Sequence, residues 1–147
     1  MTEAAVLNAT ARVRQLTDLT VRLTERLVAE SRAFESHRPQ DAAASVQDTQ
    51  DLANIYRRES AQVKAGPAVL AGAPLADRTA LIRATEAFDA VLTRHARAVE
   101  AARTISEGLV QTIAAEVAGR RGAPSAYGAS GQANRADGRA VAFNRKA

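Results

Sequence analysis

The sequence predicts an all-α protein, an antiparallel helical hairpin or three-helix bundle with one long C-terminal helix and a disordered basic tail. The first observation is periodicity, because apolar residues recur at three- and four-residue steps along three long stretches. The second is composition. Aromatic residues make up only 3% of the 147 residues, so the chain lacks the aromatic and β-branched runs from which sheets are built.

The first helix is predicted over residues 2–35. Its apolar positions follow a near-heptad seam that is broken only where Glu30 falls on it. Such a seam indicates either a bundle interface or a strip that a partner covers. Its members are Val6, Ala9, Val13, Leu16, Thr20, Leu23, Leu27 and Phe34.

A second, shorter helix is predicted over residues 42–65. Pro39 disfavours helical geometry in the residue before it, so the chain should turn there, and Asp41 is expected to cap the helix. The helix should end at Gly66-Pro67, because glycine can adopt the left-handed cap and the proline ring cannot continue the helix. Residues 67–76 are then a connector.

The third helix is predicted over residues 77–118, with Asp77 as its cap. It contains no proline and one glycine, Gly108. At about 1.5 Å per residue it would extend roughly 60 Å, which suits a bundle or a coiled coil. Residues 1–118 therefore make a helical bundle. The seam of this helix consists of Leu81, Thr85, Phe88, Leu92, His95, Val99, Ala102, Ile105, Leu109 and Ile113.

Residues 119–147 are predicted to be a disordered Gly/Arg-rich tail, because they hold five of the chain's eight glycines and little that could form a core. Six basic residues and one acid give this tail a net charge of +5, which leaves −1 on residues 1–118. A groove-reading domain would spread its cations over a structured face. We therefore expect no nucleic-acid partner, although a sequence-blind interaction through the tail stays open.

No catalytic or metal site is indicated, and no cofactor is expected. The chain has no cysteine, His37 lies at a turn beside Pro39, and His95 falls on an apolar seam, where packing is the usual role of a histidine. No apolar run approaches the ~20 residues of a membrane span, and no basic region opens the chain as in a signal peptide. We expect a cytoplasmic protein that is not an enzyme and does not insert into membranes.

The end of the third helix is the predicted partner-binding surface. Its apolar stripe broadens here, and the second helix is too short to cover both long helices, so part of this face should lie uncovered. A helix from a partner fits such a face. A homodimer covering the same face, or a structural coiled coil, remains the alternative. The predicted binding residues are Ile105, Leu109, Val110, Ile113 and Val117.

Three segments resemble the flagellar export chaperones of the FlgN type: residues 48–59 (DTQDLANIYRRE), 105–110 (ISEGLV) and 127–131 (YGASG). The resemblance implies a cytosolic chaperone that binds the C-terminal helices of hook–filament junction (hook-associated) proteins. Such a chaperone prevents their premature assembly and delivers them to the flagellar type III export apparatus. The resemblance places client binding on the stripe at residues 105–117 and a contact with the export gate or ATPase complex at Tyr127.

Overall fold

The computed structural model describes residues 2–125 of the chain, with side chains described as far as Arg120. Within those residues it contains five α-helices and no strand. This confirms the predicted all-α class and the long C-terminal helix. The helices are α1 (Glu3–Glu35), α2 (Pro39–Ala43), α3 (Val46–Ala65), α4 (Ala68–Gly72) and α5 (Leu75–Ser125).

Helix α1 begins and ends close to its predicted bounds. Thr2 is the N-cap, and its Oγ1 accepts a hydrogen bond from the backbone N–H of Ala5 at 3.2 Å. After the C-cap Ser36, His37 adopts the left-handed conformation with φ 58°. The N–H of His37 then donates to the carbonyl of Phe34, and the N–H of the next residue donates to Ala33. These two bonds form a Schellman motif, which stops the helix.

The left-handed cap predicted at Gly66 is wrong. Gly66 has φ −125°, and no described glycine has positive φ. The reason is that α3 does not double back through a cap. Instead, the carbonyl of Gly66 accepts from the N–H of Val69, and the chain turns directly into the short helix α4.

The segments next to the prolines are helical where turns were expected. Pro39 begins α2, a position that suits its fixed φ and its missing N–H. Helix α3 therefore starts at Val46, and Asp41 lies inside α2, where its carboxylate pairs with Arg38 at 3.0 Å. Asp41 is not the cap of α3.

Helix α5 is longer at both ends than the sequence predicts. It begins at Leu75, directly after Pro74, so Asp77 lies within its first turn and is not its cap. It continues to Ser125 through Gly119, whereas the tail was expected to start there. A helical glycine costs only about 1 kcal/mol, and the ion pair of Arg120 with Glu116 at 2.7 Å supports the preceding turn. The rest of the predicted tail, Tyr127 included, lies outside the described residues.

The chain divides into two compact units, unit 1 (Met1–Glu100) and unit 2 (Ala101–Ala147). In unit 1, one core cluster joins Val13 and Leu16 of α1 to Val63 and Leu81. The second core cluster consists of Leu19, Leu23, Leu27, Leu52 and Phe88. From the first cluster to the second, the residue numbers rise in α1 and in α5, and they fall in α3. Unit 1 is therefore an up-down-up arrangement, in which α1 and α3 form the predicted antiparallel hairpin.

Candidate partner-binding surfaces

The apolar stripe predicted for partner binding lies in unit 2 and is exposed. Ile105, Leu109 and Ile113 stand at four-residue steps, so they share one face of the helix, and Val110 lies beside them. Their exposed fractions are 54%, 59%, 52% and 49%, in that order with Val110 last. Val117 is half-buried. The structure thus brings four of the predicted residues together on an uncovered surface, which we call the unit 2 stripe. Tyr127 lies outside the described residues.

Charged pairs accompany the unit 2 stripe along the helix. Arg103 pairs with Glu107 at 3.0 Å, one helical turn apart. Gly108 directly follows Glu107, and a Cβ added at Gly108 would meet no atom within 4 Å. Fully burying one Leu, Ile or Val side chain is worth about 1.5–3 kcal/mol. An amphipathic helix that covered this stripe would therefore gain substantial free energy from apolar contact alone.

A second apolar surface lies in unit 1 as a groove with a volume of about 580 Å³. Helices α1, α3 and α5 each supply part of its wall, and most of the lining side chains are apolar or aromatic. We call it the unit 1 groove. It is lined by Leu23, Leu27, Glu30, Phe34, Val46, Thr49, Gln50, Ala53, Tyr56, Arg57, Phe88, Leu92, His95 and Val99.

Aromatic contacts hold two parts of the groove wall. Tyr56 and Phe88 lie with ring centroids 5.1 Å apart, and Phe34 meets the His95 ring edge-on at 6.3 Å and 78°. Aromatic pairs prefer the edge-on geometry of the second contact, and both centroid distances lie in the usual range for such pairs. Burial raises the pKa of the Tyr56 hydroxyl, although a hydrogen bond with Ser60 opposes the rise. The phenol therefore stays neutral throughout the physiological range.

Three polar atoms on the groove wall have no hydrogen-bond partner among the described residues. They are Oε2 of Glu30, Oγ1 of Thr49 and Nε2 of His95, each with less than 1 Å² exposed. Buried polar groups are paired in the great majority of cases, so three orphans in one groove call for an explanation. With so little exposed surface, each would gain a hydrogen bond from a molecule in the groove only if its side chain turned toward that molecule.

Two polar residues on apolar seams were visible in the sequence, but the periodicity of each helix alone could not show that they line one groove. Glu30 is the residue that interrupts the seam of α1, and His95 is the polar residue on the seam of α5. Only the packing of three helices shows that both line one groove. The prediction that His95 is a partly buried packing residue is confirmed by its contact with Phe34.

The described residues form neither a metal-binding cluster nor a membrane-spanning helix. Within the described range 2–125, no three His, Asp or Glu side chains stand close enough together to hold a metal ion. Over that same part of the chain, none of the helices combines the length and the apolar character that crossing a bilayer requires.

The fold and its surfaces define the class: a small all-α protein whose helices leave apolar surfaces uncovered. A comparison with known proteins then narrows it. The chain is 51% identical over 146 residues to the flagellar basal-body protein FlbY of Caulobacter vibrioides, covering 97% of this chain and 98% of that protein. The chain therefore belongs to the FlbY family of flagellar proteins. No family model and no solved structure matches it.

Proposed function

We propose that this flagellar protein is a cytosolic type III export chaperone. In this role it binds the C-terminal helices of hook–filament junction proteins, prevents their premature assembly and delivers them to the export apparatus. The observation that carries the proposal is the unit 2 stripe, an exposed apolar helix face in a member of a flagellar family. Helices that polymerise at a growing structure are themselves apolar on one face. A chaperone shields such a helix by offering it a matching face.

The chemistry of the stripe favours reversible binding, which delivery requires. An interface of ordinary size buries roughly 1,200–2,000 Å². The stripe offers Ile, Leu and Val, whereas the residues that usually dominate binding energy are Trp, Tyr and Arg. We therefore expect a Kd in the micromolar to sub-micromolar range. A picomolar complex in a calorimetric titration would contradict this expectation.

The alternative is a structural coiled-coil flagellar assembly or regulatory protein that acts as a homodimer. In that case a second copy of the chain covers the same stripe, and the stripe is not free to bind a client. The two functions differ in what the stripe binds in solution, so one experiment separates them.

The test is size-exclusion chromatography with light scattering on the full-length chain, alone and mixed with the C-terminal helices of the junction protein from the same bacterium. We expect a one-to-one complex that the double variant Leu109→Asp, Ile113→Asp does not form. The matched control is Leu7→Asp, Ile82→Asp, which changes two equally exposed residues of unit 1 and should leave the complex intact. A chain that is dimeric alone and binds no junction-protein helix would overturn the proposal in favour of the homodimer.

We propose that Tyr127 contacts the export apparatus. This role can be tested separately from client binding. The variant Tyr127→Ala should form the same one-to-one complex as the wild type, because Tyr127 is assigned to the export apparatus and not to the client. Secretion of junction protein in a strain that carries only this variant should fall. Normal secretion by that strain would remove Tyr127 from the mechanism.

A further inference from the structure

The unit 1 groove holds a polar group for which its own helices provide no partner. Glu30 is only 6% exposed, and its Oε2 has no hydrogen bond among the described residues. Burying an unpaired polar group costs free energy, and an unpaired charge costs more. A leucine at this position would continue the seam of α1 without that cost. The position is therefore best explained by a donor that comes from outside the fold.

One cationic side chain lines the unit 1 groove, and it bonds to a residue of its own helix. Arg57 is the single arginine or lysine among the lining residues. Its Nη1 donates to Oδ1 of Asn54 at 3.4 Å, on its own helix, and not to the carboxyl of Glu30. Oε2 of Glu30 is thus left without a cationic partner among the lining residues.

The shape of the groove favours a helix as that occupant. Val46, Leu92 and Val99 line it and are themselves exposed, so apolar surface continues from the floor to the rim. An extended peptide would turn unpaired backbone N–H and C=O groups toward these walls. A helix satisfies its own backbone, and as a fourth helix beside α1, α3 and α5 it would complete a four-helix arrangement.

We infer that the unit 1 groove binds an amphipathic helix of the client whose apolar face carries one lysine or arginine, and that this cation pairs with Glu30. The inference rests on the proposed function, because the helix belongs to the chaperone's client. The long apolar stem of lysine or arginine follows the groove wall while its head reaches the carboxyl. The last torsion of a glutamate side chain is broad, so the carboxyl can turn an oxygen to the donor without moving the backbone. A charge-assisted hydrogen bond of this kind is about twice as strong as a neutral one.

The test measures binding of synthetic peptides that span the C-terminal helices of the junction protein to the full-length chain, by fluorescence anisotropy. Glu30→Gln keeps the shape of the side chain and removes its charge, and it should weaken binding about tenfold, equivalent to about 1.4 kcal/mol. The matched control is Glu25→Gln, an exposed glutamate on the same helix, which should leave affinity unchanged. Replacing the peptide's apolar-face lysine or arginine by methionine should weaken binding to the wild type but not weaken it further in Glu30→Gln.

The thermal midpoint of the variant and photo-crosslinking within the groove complete the test. Glu30→Gln should not lower the thermal midpoint, which separates lost pairing from lost folding. A photo-crosslinking residue in place of Gln50, an exposed residue of the groove, should capture the peptide. If the peptide binds Glu30→Gln as tightly as the wild type but fails to bind Leu109→Asp, Ile113→Asp, the inference is overturned while the proposed function stands. If no peptide binds the wild type, both are overturned.

Discussion

Arg94 holds Glu35 in a two-point ion pair, in which Nε and Nη2 of the guanidinium donate to Oε1 and Oε2 of the carboxylate, both at 2.7 Å. Glu35 is the last residue of α1, so the pair fastens that helix end to α5. The neighbouring residues in sequence, Phe34 and His95, meet on the wall of the unit 1 groove. About six turns earlier in α1, Arg14 pairs with Asp77 at 2.8 Å. The two pairs meet in the same order along both helices, as the parallel course of α1 and α5 in unit 1 requires.

The Glu35 pair predicts a dependence of stability on pH. The hydrogen bond from Arg94 holds the pKa of Glu35 below its ordinary value. Because the folded-state pKa is lower than the unfolded one, the stabilisation is present above about pH 4.3, the ordinary value of glutamate, and is lost as the pH falls through the lowered pKa. The variant Glu35→Gln should therefore melt below the wild type at pH 7, and the difference should vanish at lower pH.

The measurement is thermal unfolding followed by circular dichroism between pH 3 and pH 7. Glu25→Gln serves as the control, because Glu25 is exposed on the same helix and makes no ion pair with the described residues. Its melting temperature should follow the wild type at every pH. Since the Glu35 pair is open to solvent, the wild-type advantage should also shrink in high salt. An advantage that grows toward pH 3 would contradict the assignment.

The left-handed residue His37 predicts a stabilising substitution. Its φ of 58° is a conformation that glycine adopts freely and that most other residues adopt at a cost. The variant His37→Gly should therefore raise the free energy of unfolding by about 0.5–1 kcal/mol, measured by urea denaturation. Ala44 is the control, since it has φ −63° and ψ −26°. Glycine there gains nothing in the fold, so Ala44→Gly should lower stability. A destabilised His37→Gly would show that the imidazole itself holds the end of α1.

An element of this fold could be predicted from the sequence where its apolar repeat runs over many helical turns. Helix α1 and the core of α5 repeat their apolar residues over many turns, so both could be predicted. The five-residue helices α2 and α4 could not, because Pro39 and Pro67 mark a turn and the start of a helix equally well. The unit 2 stripe needed only one helix, and four of the five residues predicted on that helix are exposed, whereas Val117 is half-buried. The unit 1 groove needed three helices in register, so Glu30 could be recognised as an exception but not placed.

The core and the stripe predict stability changes of different size for the same substitution. Leu23 is 3% exposed and packs in the cluster that contains Phe88. Leu23→Ala should therefore cost about 2–5 kcal/mol of unfolding free energy, through lost burial and a residual cavity. Leu109 is exposed in the described chain, so Leu109→Ala should change stability by no more than about 0.5 kcal/mol.

Urea denaturation at two protein concentrations measures both values. The concentration matters because a homodimer would bury Leu109 and make its unfolding midpoint depend on concentration. Equal costs for Leu23→Ala and Leu109→Ala, together with such a dependence, would favour the homodimer over the chaperone.

Substitutions at Gly108 are predicted to stabilise the helix and to test how closely a client helix approaches it. An added Cβ at Gly108 would meet no atom within 4 Å, and the same holds at Gly119. Glycine inside a helix is about 0.5–1 kcal/mol less favourable than alanine. Both Gly108→Ala and Gly119→Ala should therefore slow amide hydrogen exchange in the surrounding turns.

Gly108 lies within the unit 2 stripe, next to Leu109, whereas Gly119 lies beyond its last residue. If a client helix approaches the backbone closely at Gly108, Gly108→Leu should weaken client binding while Gly119→Leu leaves it unchanged. Equal affinities for both leucine variants would show that the client contacts the side chains of the stripe without close approach of the two backbones.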